Sequence, residues 1–301
     1  MKIGVTGASG MLGTALITHL SKSHKVFATS RKRGVEGQNI KWDCFDLTEV
    51  TLLNEWMEAI KPDVIVHCAA IANVNFCEAN INLAEELHVE TTKVIVSYLD
   101  NNNGKLIYIS TDSVFDGEKK GAYSEFDLTD PLNIYAKTKF MGELPVLSMG
   151  NGLVLRVEII GWTQKNRISF AEWVLKGLIA DTPLNLFHDV CFSPLHVDYL
   201  SLIIGDIVSN PISGLYNCAS NNGISKYDFG NKMADIFHLS NSNINKVSVD
   251  NMAFKANRPK NMVLDTSKIK LDLKCSLPSA EDSIKLMKYQ YDKNRNLLSQ
   301  V

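Results

Sequence analysis

The chain has 301 residues, 45% of them hydrophobic and 21% charged, with 31 Lys and Arg against 33 Asp and Glu. That length and apolar content suffice for one large core, or for a core with a smaller lobe. A net charge of -2 excludes the broad positive field that would draw in nucleic acid or anionic lipid, so any phosphate the chain binds must be met by a local site.

Met1 runs straight into an apolar strand pattern, and the longest later apolar run, residues 199–208, is interrupted and too short to span a bilayer. A soluble, cytoplasmic chain is expected, with no nucleic-acid or membrane partner. Six cysteines, at 44, 68, 77, 191, 218 and 275, contain no CxxC pair. They are expected as small buried apolar side chains, with neither a disulfide framework nor a metal site.

The first predicted element is "KIGVTG", followed by the glycine-rich "GASGMLG" and a helix beginning near Met11. Gly7 allows a tight turn, Gly10 lets backbone approach a pyrophosphate, and Gly13 lets helix and strand pack closely. Met11 and Leu12 contribute the free amides of the helix start. Further strands are expected at "KVFATS", "DVIVHCAA", "KLIYIS" and "LVLRVEIIG", alternating with segments of helical period. The pattern predicts an α/β fold, a doubly wound parallel sheet, because continuous apolar runs suit strands buried on both faces. "DNNNGK" is a polar turn between them.

At the end of the second strand stand Ser30, Arg31, Lys32 and Arg33, where an acidic residue would hold an unphosphorylated ribose. Ser30, Arg31 and Arg33 are instead suited to an adenosine 2′-phosphate, a solvated basic loop being the alternative. In "WDCFDLTE", Asp46 opens a plausible helix N-cap.

After residue 162 the alternation breaks down; "HVDYLSLIIGDIVS" reads as a helix and "GLYNCAS" as a late strand that rejoins the sheet. A Rossmann-type unit is expected over 1–162 and 193–220, with a smaller mixed lobe over 163–192 and 221–301. Trp162, Trp173 and "SFAEWVLKGL" read as core of that lobe.

In "DPLNIYAKTKFMGE", Asp130 and Pro131 are expected as N-cap and first residue of a helix on which Tyr135 and Lys139, four apart, share a face. An ammonium one turn away favours the phenolate, so Lys139 is expected to lower the tyrosine's pKa and tune it for proton transfer. Pro145 should kink or end this helix early. "YISTDSVFDG" brings Ser110 and Thr111 to the carboxyl end of a strand, where open α/β sheets bind ligands.

The stretch "TGASGMLG", the "STDSVFDG" segment and the YxxxK helix resemble the extended short-chain dehydrogenase/reductase family. Together with "RPKNMVLDTSKI" they resemble most its dTDP-4-dehydrorhamnose reductase branch, over residues 1 to about 270. The resemblance implies NADPH, hydride transfer to the 4-keto group of a nucleotide-linked 6-deoxy sugar, and a catalytic set of Thr111, Tyr135 and Lys139. It further implies that Asp46 and Leu47 pass beside the adenine and that Cys68, Ala69 and Ala70 line the cofactor cleft. Thr111, Asp112, Ser113 and Arg258 would face the substrate, Arg258 near its diphosphate. No metal is expected, and a homodimer is left open.

The chain also departs from that branch. His88 stands where an asparagine is usual, either holding a water or serving as an ordinary polar helix residue. Ile159 replaces an aromatic residue, and Glu158 adds a charge beside it. Ser193-Pro194 is kept without the neighbouring glutamine and glycine, and nothing in the sequence orients Cys191 and His196 as a thiol–imidazole pair. Thr111 is followed by Asp112 and Ser113, without the glutamate of the dehydratases, which disfavours water elimination. Other carbonyl reductases or epimerases of the family, and a non-catalytic NADP-binding subunit like methionine adenosyltransferase beta, are the alternatives.

Overall fold

The computed structural model describes residues 1–163, 168–252 and 257–294. Seven strands form one sheet: β1 (Lys2–Thr6), β2 (Lys25–Thr29), β3 (Ile40–Asp43), β4 (Val64–His67), β5 (Lys105–Thr111), β6 (Leu153–Val157) and β7 (Gly214–Asn217). Their order is β7-β6-β5-β4-β1-β2-β3, and every pairing is parallel. The order reverses between β1 and β4, so a crevice opens at their carboxyl ends.

One face is covered by α1 (Met11–Leu20), through Leu16, Ile17 and Leu20, and by a late helix that also packs on Ile3, Val5 and Ile107. The other face is covered by α2 (Val50–Ile60) and α3 (Thr91–Asn101), with Leu53, Met57, Ile95 and Leu99 against Ile65, Leu106 and Val154. The helix α4 (Ile134–Leu147) lies against α3 and β5. Central strands have both faces buried, which is why β5 is buried at every residue.

Three local expectations are corrected. The edge strand β3, "IKWD", has only four residues and alternating exposure, too short a run to stand out by period. The N-cap of α4 is Asn133, whose Oδ1 accepts from Ala136 N at 2.9 Å, rather than Asp130. The start of α2 carries no side-chain cap; Asp46 instead accepts from the amide and hydroxyl of Thr48, closing the turn before the helix. Pro145 falls in the last turn of α4, which ends at Leu147.

A second core gathers α5 (Phe170–Ile179), α7 (Lys226–Phe237) and α8 (Ala280–Lys293) around Phe192, Phe229 and Met233, while α6 (Val197–Ser209) is the late helix on the main sheet. Short strands stitch it together: Cys191–Phe192 pairs with Ile224–Ser225 and Asn261–Met262, and Leu184–Phe187 with Ile244–Val247. Trp162 packs on this core, stacked with Tyr291 at 6.1 Å between ring centroids. Trp173 is not part of it; it is 42% exposed, with its ring 6.1 Å from that of Phe170 at the rim of this core. Ile269 and Leu277 pack instead with the main core. Of the cysteines, Cys77 and Cys218 are buried as expected, Cys68, Cys191 and Cys275 are half-buried, and Cys44 is exposed.

Candidate active site

The turn after β1 is built around what it lacks. Gly7 has φ +64°, and a Cβ there would lie 2.7 Å from the Ala69 backbone; a Cβ on Gly13 would lie 2.6 Å from Ala8 Cα. The chain after β1 is thereby pressed against the chain after β4 and against its own helix. Gly10 is the N-cap of α1 and offers no side-chain cap, so the first amides of the helix, those of Met11, Leu12 and Gly13, are not covered by one.

Beside this cradle, Ser30 is buried at the end of β2 and donates its hydroxyl to Lys32 O at 2.5 Å. Arg31 is exposed, and Arg33 pairs with Glu36 at 3.6 Å on the surface. Trp42, on the unforeseen strand β3, holds this basic loop: its Nε1 donates to Val35 O at 2.8 Å, and its ring lies against Gly34. A tryptophan alternating with polar residues was the only trace of this in the sequence. Leu47 is buried and Asp46 exposed at the next turn along the sheet edge. Cys68, Ala69 and Ala70 follow β4; burial pushes the Cys68 thiol up to about 12, so it is inert.

Tyr135 and Lys139 do share one face of α4. Lys139 is buried with its Nζ over the Tyr108 ring at 3.9 Å from the centroid, and the Tyr108 hydroxyl donates to Lys139 O at 3.2 Å. Among the described residues Nζ has no hydrogen-bond partner, and desolvation lowers its pKa to about 7 against the opposing pull of Glu143. Tyr135 behaves contrary to the sequence-based expectation. Its pKa is raised, first by burial, with the carboxyls of Asp112 and Glu158 adding to the rise and hydrogen bonding with Thr111 opposing it. A half-discharged ammonium lying over another ring does not outweigh these. The result suits a group that keeps its proton until a stronger base forms nearby.

Thr111 ends β5, buried, and its Oγ1 donates to Asp112 Oδ1 at 3.1 Å while accepting from Ser113 N at 3.2 Å. Ser113 donates to the same Asp112 oxygen at 3.2 Å. Thr111, Asp112, Ser113 and Tyr135 are therefore brought together. Arg258 lies exposed on a segment held nearby, since Asn133 Nδ2 donates to Asn257 O at 3.0 Å and Asn261 N to Gly117 O at 3.1 Å.

Two histidines close the rear of the site. His67 Nδ1 lies 2.6 Å from Thr6 Oγ1, and burial holds its pKa near 3. His88 sits in a five-residue π-helical turn, Glu86–Glu90. Its Nε2 accepts from Ile71 N at 2.9 Å, which assigns the hydrogen to Nδ1 and directs it to Thr138 Oγ1 at 2.8 Å. Both nitrogens are committed, so His88 is a structural tie between the chain after β4 and the helix carrying Tyr135 and Lys139. His196 likewise caps α6 through Nδ1, accepting from Asp198 N at 3.1 Å, and among the described residues no hydrogen bond joins it to Cys191.

Beneath the site, Glu143 of α4 and Arg156 of β6 form a buried bidentate ion pair, with contacts of 3.0 and 2.7 Å, and Ser110 donates to the same carboxylate at 2.5 Å. It fixes α4 to the sheet one turn after Lys139 on the helix and one residue before Thr111 on β5. Among the described residues no group of three or more His, Cys, Asp or Glu is placed to hold a metal ion, and no helix is long and apolar enough to cross a membrane.

A doubly wound parallel sheet, a glycine cradle at its switch point and a Thr–Tyr–Lys set beside it define a Rossmann-type protein of the short-chain dehydrogenase/reductase kind. The chain belongs to the RmlD substrate binding domain family, which matches residues 1–292. It is 27% identical over 289 residues to a probable low-salt glycan biosynthesis reductase, Agl14, of Haloferax volcanii, covering 93% of this chain and 95% of that one. It is 30% identical over 274 residues to the methionine adenosyltransferase 2 subunit beta of Xenopus laevis, covering 88% and 80%.

Among solved structures, a hypothetical dTDP-4-dehydrorhamnose reductase from Sulfolobus tokodaii superposes with a TM-score of 0.79 at 29% identity, covering 90% of this chain and 94% of that one. The dTDP-4-dehydrorhamnose reductase of Bacillus anthracis, solved in complex with NADP, shares the fold at a TM-score of 0.82 and 23% identity, covering 96% and 99%.

Proposed function

We propose that the chain is an NADPH-dependent reductase of a 4-keto-6-deoxy nucleotide sugar. The observation that carries this reading is the meeting of Thr111 and Tyr135, with Lys139 one turn further along α4, at the carboxyl edge of the sheet beside a glycine turn whose close backbone packing leaves no room for a Cβ at Gly7 or Gly13 and whose helix begins with amides that no side chain caps. That cradle fits a dinucleotide. Gly7, Gly10, Met11, Leu12 and Gly13 would hold the pyrophosphate, and Ser30, Arg31 and Arg33 the 2′-phosphate. Asp46 and Leu47 would border the adenine, and Cys68, Ala69 and Ala70 would line the cleft. Lys139 and Tyr135 would hold the nicotinamide ribose, which supplies the hydrogen-bond partner that the buried Nζ lacks.

When bound, NADPH supplies hydride to the ketone carbon. Tyr135 gives its phenolic proton to the ketone oxygen as charge develops there, and burial with nearby carboxyls keeps that proton in place at neutral pH. Thr111 hydrogen-bonds the same oxygen. Asp112, Ser113 and Arg258 meet the substrate, a guanidinium being suited to a diphosphate. The unit over 1–162 and 193–220 would carry the cofactor, and the lobe over 163–192 and 221–301 the sugar.

The test is loss of NADPH absorbance with purified protein and dTDP-4-keto-6-deoxy sugars. Tyr135→Phe is expected to lose about 10²–10⁴-fold in turnover while binding NADPH as before; unchanged turnover overturns the reading. The likeness to methionine adenosyltransferase 2 subunit beta favours one other reading, a non-catalytic NADP-binding subunit. Tight NADPH binding without turnover of any nucleotide sugar, together with a co-purifying partner, would select it.

A further inference from the structure

Thr111 of β5 pairs in register with Val157 of β6. The next residues, Asp112 and Glu158, therefore leave two adjacent parallel strands side by side, 46 positions apart in the chain. Asp112 is wholly buried. Its Oδ1 accepts the hydroxyl hydrogens of Thr111 and Ser113, but its Oδ2, also buried, has no donor. A buried carboxylate oxygen without a donor is costly, and the side chain within hydrogen-bond reach of Asp112 is that of Glu158, itself an acceptor when ionised. Asp112 is wholly buried and Glu158 half-buried, so a charge on both of two touching carboxylates is costly.

We propose that Asp112 and Glu158 hold one proton between them, and that this proton sets whether Thr111 can turn its hydroxyl from Asp112 to the ketone oxygen. The inference rests on the proposed reductase reading for its second half only. With the proton on Asp112 Oδ2, Oδ1 is a weak carbonyl-like acceptor, and the Thr111 hydrogen can leave it for an oxygen gaining negative charge. With the proton lost, a doubly charged pair pulls that hydrogen back and opposes ionisation of Tyr135. Glu158 is thus a positioning residue, acting through Asp112 and Thr111.

The charged surroundings agree. Lys226, at the start of α7, stands over the Phe192 ring at 3.2 Å from its centroid and faces both carboxyls, and Arg258 faces Lys226 in turn. Tyr135 faces the pair from α4. One shared proton leaves the pair with a single negative charge facing Lys226, whose pKa burial lowers while the two carboxyls oppose that shift. Burial and Glu158 both raise the Asp112 pKa well above the carboxylate range, with Lys226 and Thr111 opposing.

The experiment has two arms. Infrared difference spectra of the cofactor-free chain at neutral pH, wild type minus Glu158→Gln and wild type minus Asp112→Asn, should both show the carbonyl band of a protonated carboxylic acid. Absence of that band in both overturns the proposal without reference to any substrate, and two variants guard against one that fails to fold. In the second arm, kcat/KM with NADPH and dTDP-4-keto-6-deoxyglucose is followed from acid to alkaline pH. The wild type should lose activity as the shared proton leaves. In Glu158→Gln the amide donates permanently to Asp112, so this alkaline loss should flatten, with kcat at neutral pH lower by roughly tenfold and NADPH affinity unchanged. A variant profile that parallels the wild type overturns the positioning role. A wild type that reduces no such sugar counts against the proposed function, and the infrared arm still decides the pair.

Discussion

The two sides of the crevice are built on opposite principles. The cofactor side, between β1 and β4, is shaped by the absence of side chains: Gly7, Gly10 and Gly13 let three stretches of backbone touch, and the chain's own atoms fill any space a Cβ would take. The substrate side, at the ends of β5 and β6, is shaped by charged side chains that constrain one another: Asp112, Glu158, Lys226 and Tyr135, from four separate elements. Steric sites of the first kind tolerate no addition, whereas electrostatic sites of the second kind respond to pH and to each neighbour's charge.

The largest effect that would break this contrast comes from the cradle. Gly7→Ala must place a Cβ 2.7 Å from the Ala69 backbone at φ +64°, so overpacking and a left-handed alanine add up to a loss of about 3 kcal/mol or more. Gly150→Ala, with nothing within 4 Å, should stay within about 0.5 kcal/mol of wild type. Denaturant unfolding of both measures it. Similar losses in the two would mean that the cradle is no tighter than a surface turn.

An effect of intermediate size is expected at Lys139. Its folded pKa, about 7, lies below its unfolded value near 10.4, so the unfolded chain binds more protons between these limits. The stability of the cofactor-free protein should therefore rise with pH from about 7 to about 10.4, the burial cost being borne in full below that window. Lys139→Met should remove this slope and stabilise the chain near pH 6 by on the order of 2 kcal/mol, while weakening NADPH binding. A slope that persists in the variant would place the titration elsewhere.

The same contrast explains what could be read in advance. The cradle is contiguous, residues 6–13, and glycine spacing after an apolar strand announces a backbone geometry that other residues cannot adopt. The Tyr135–Lys139 spacing and the strand ending in Thr111 are equally local, and the late strand β7, "GLYN", was placed by its position after the apolar helix over 197–209 rather than by any β-branched run. The N-cap of α4 misled because Asp130, Pro131 and Asn133 are all plausible starters within four residues, and the choice is made by tertiary contacts: Glu78 Oε1 accepts from Ile134 N at 2.8 Å and Asn133 reaches Asn257. The direction of the Tyr135 shift was not legible for a similar reason. Lys139 is four residues away in sequence, but burial by the surrounding elements sets the sign, and Asp112 and Glu158, from the ends of neighbouring strands, add to it. Glu158 itself was visible only as an extra charge where an aromatic residue was expected beside it.

The smallest effect probes where the two principles meet, at the basic loop after β2. Arg33 already shares its charge with Glu36 at 3.6 Å, and both ends are largely solvated, so losing that pair costs little stability, and Arg33→Ala should weaken NADPH binding by less than Arg31→Ala does. Arg31 is exposed on a loop that Trp42 anchors through Val35 and Gly34, so less order must be imposed on it when a 2′-phosphate arrives. Arg31→Ala should therefore weaken NADPH binding about tenfold, the value of one charge-assisted hydrogen bond partly offset by solvent, leave NADH binding unchanged and leave stability within about 0.5 kcal/mol. Fluorescence titration of both nucleotides reads the ratio directly. Equal affinity for NADH and NADPH in the wild type would show that this loop is a solvated turn, and that cofactor choice, like sugar choice, is set by side chains further along the crevice.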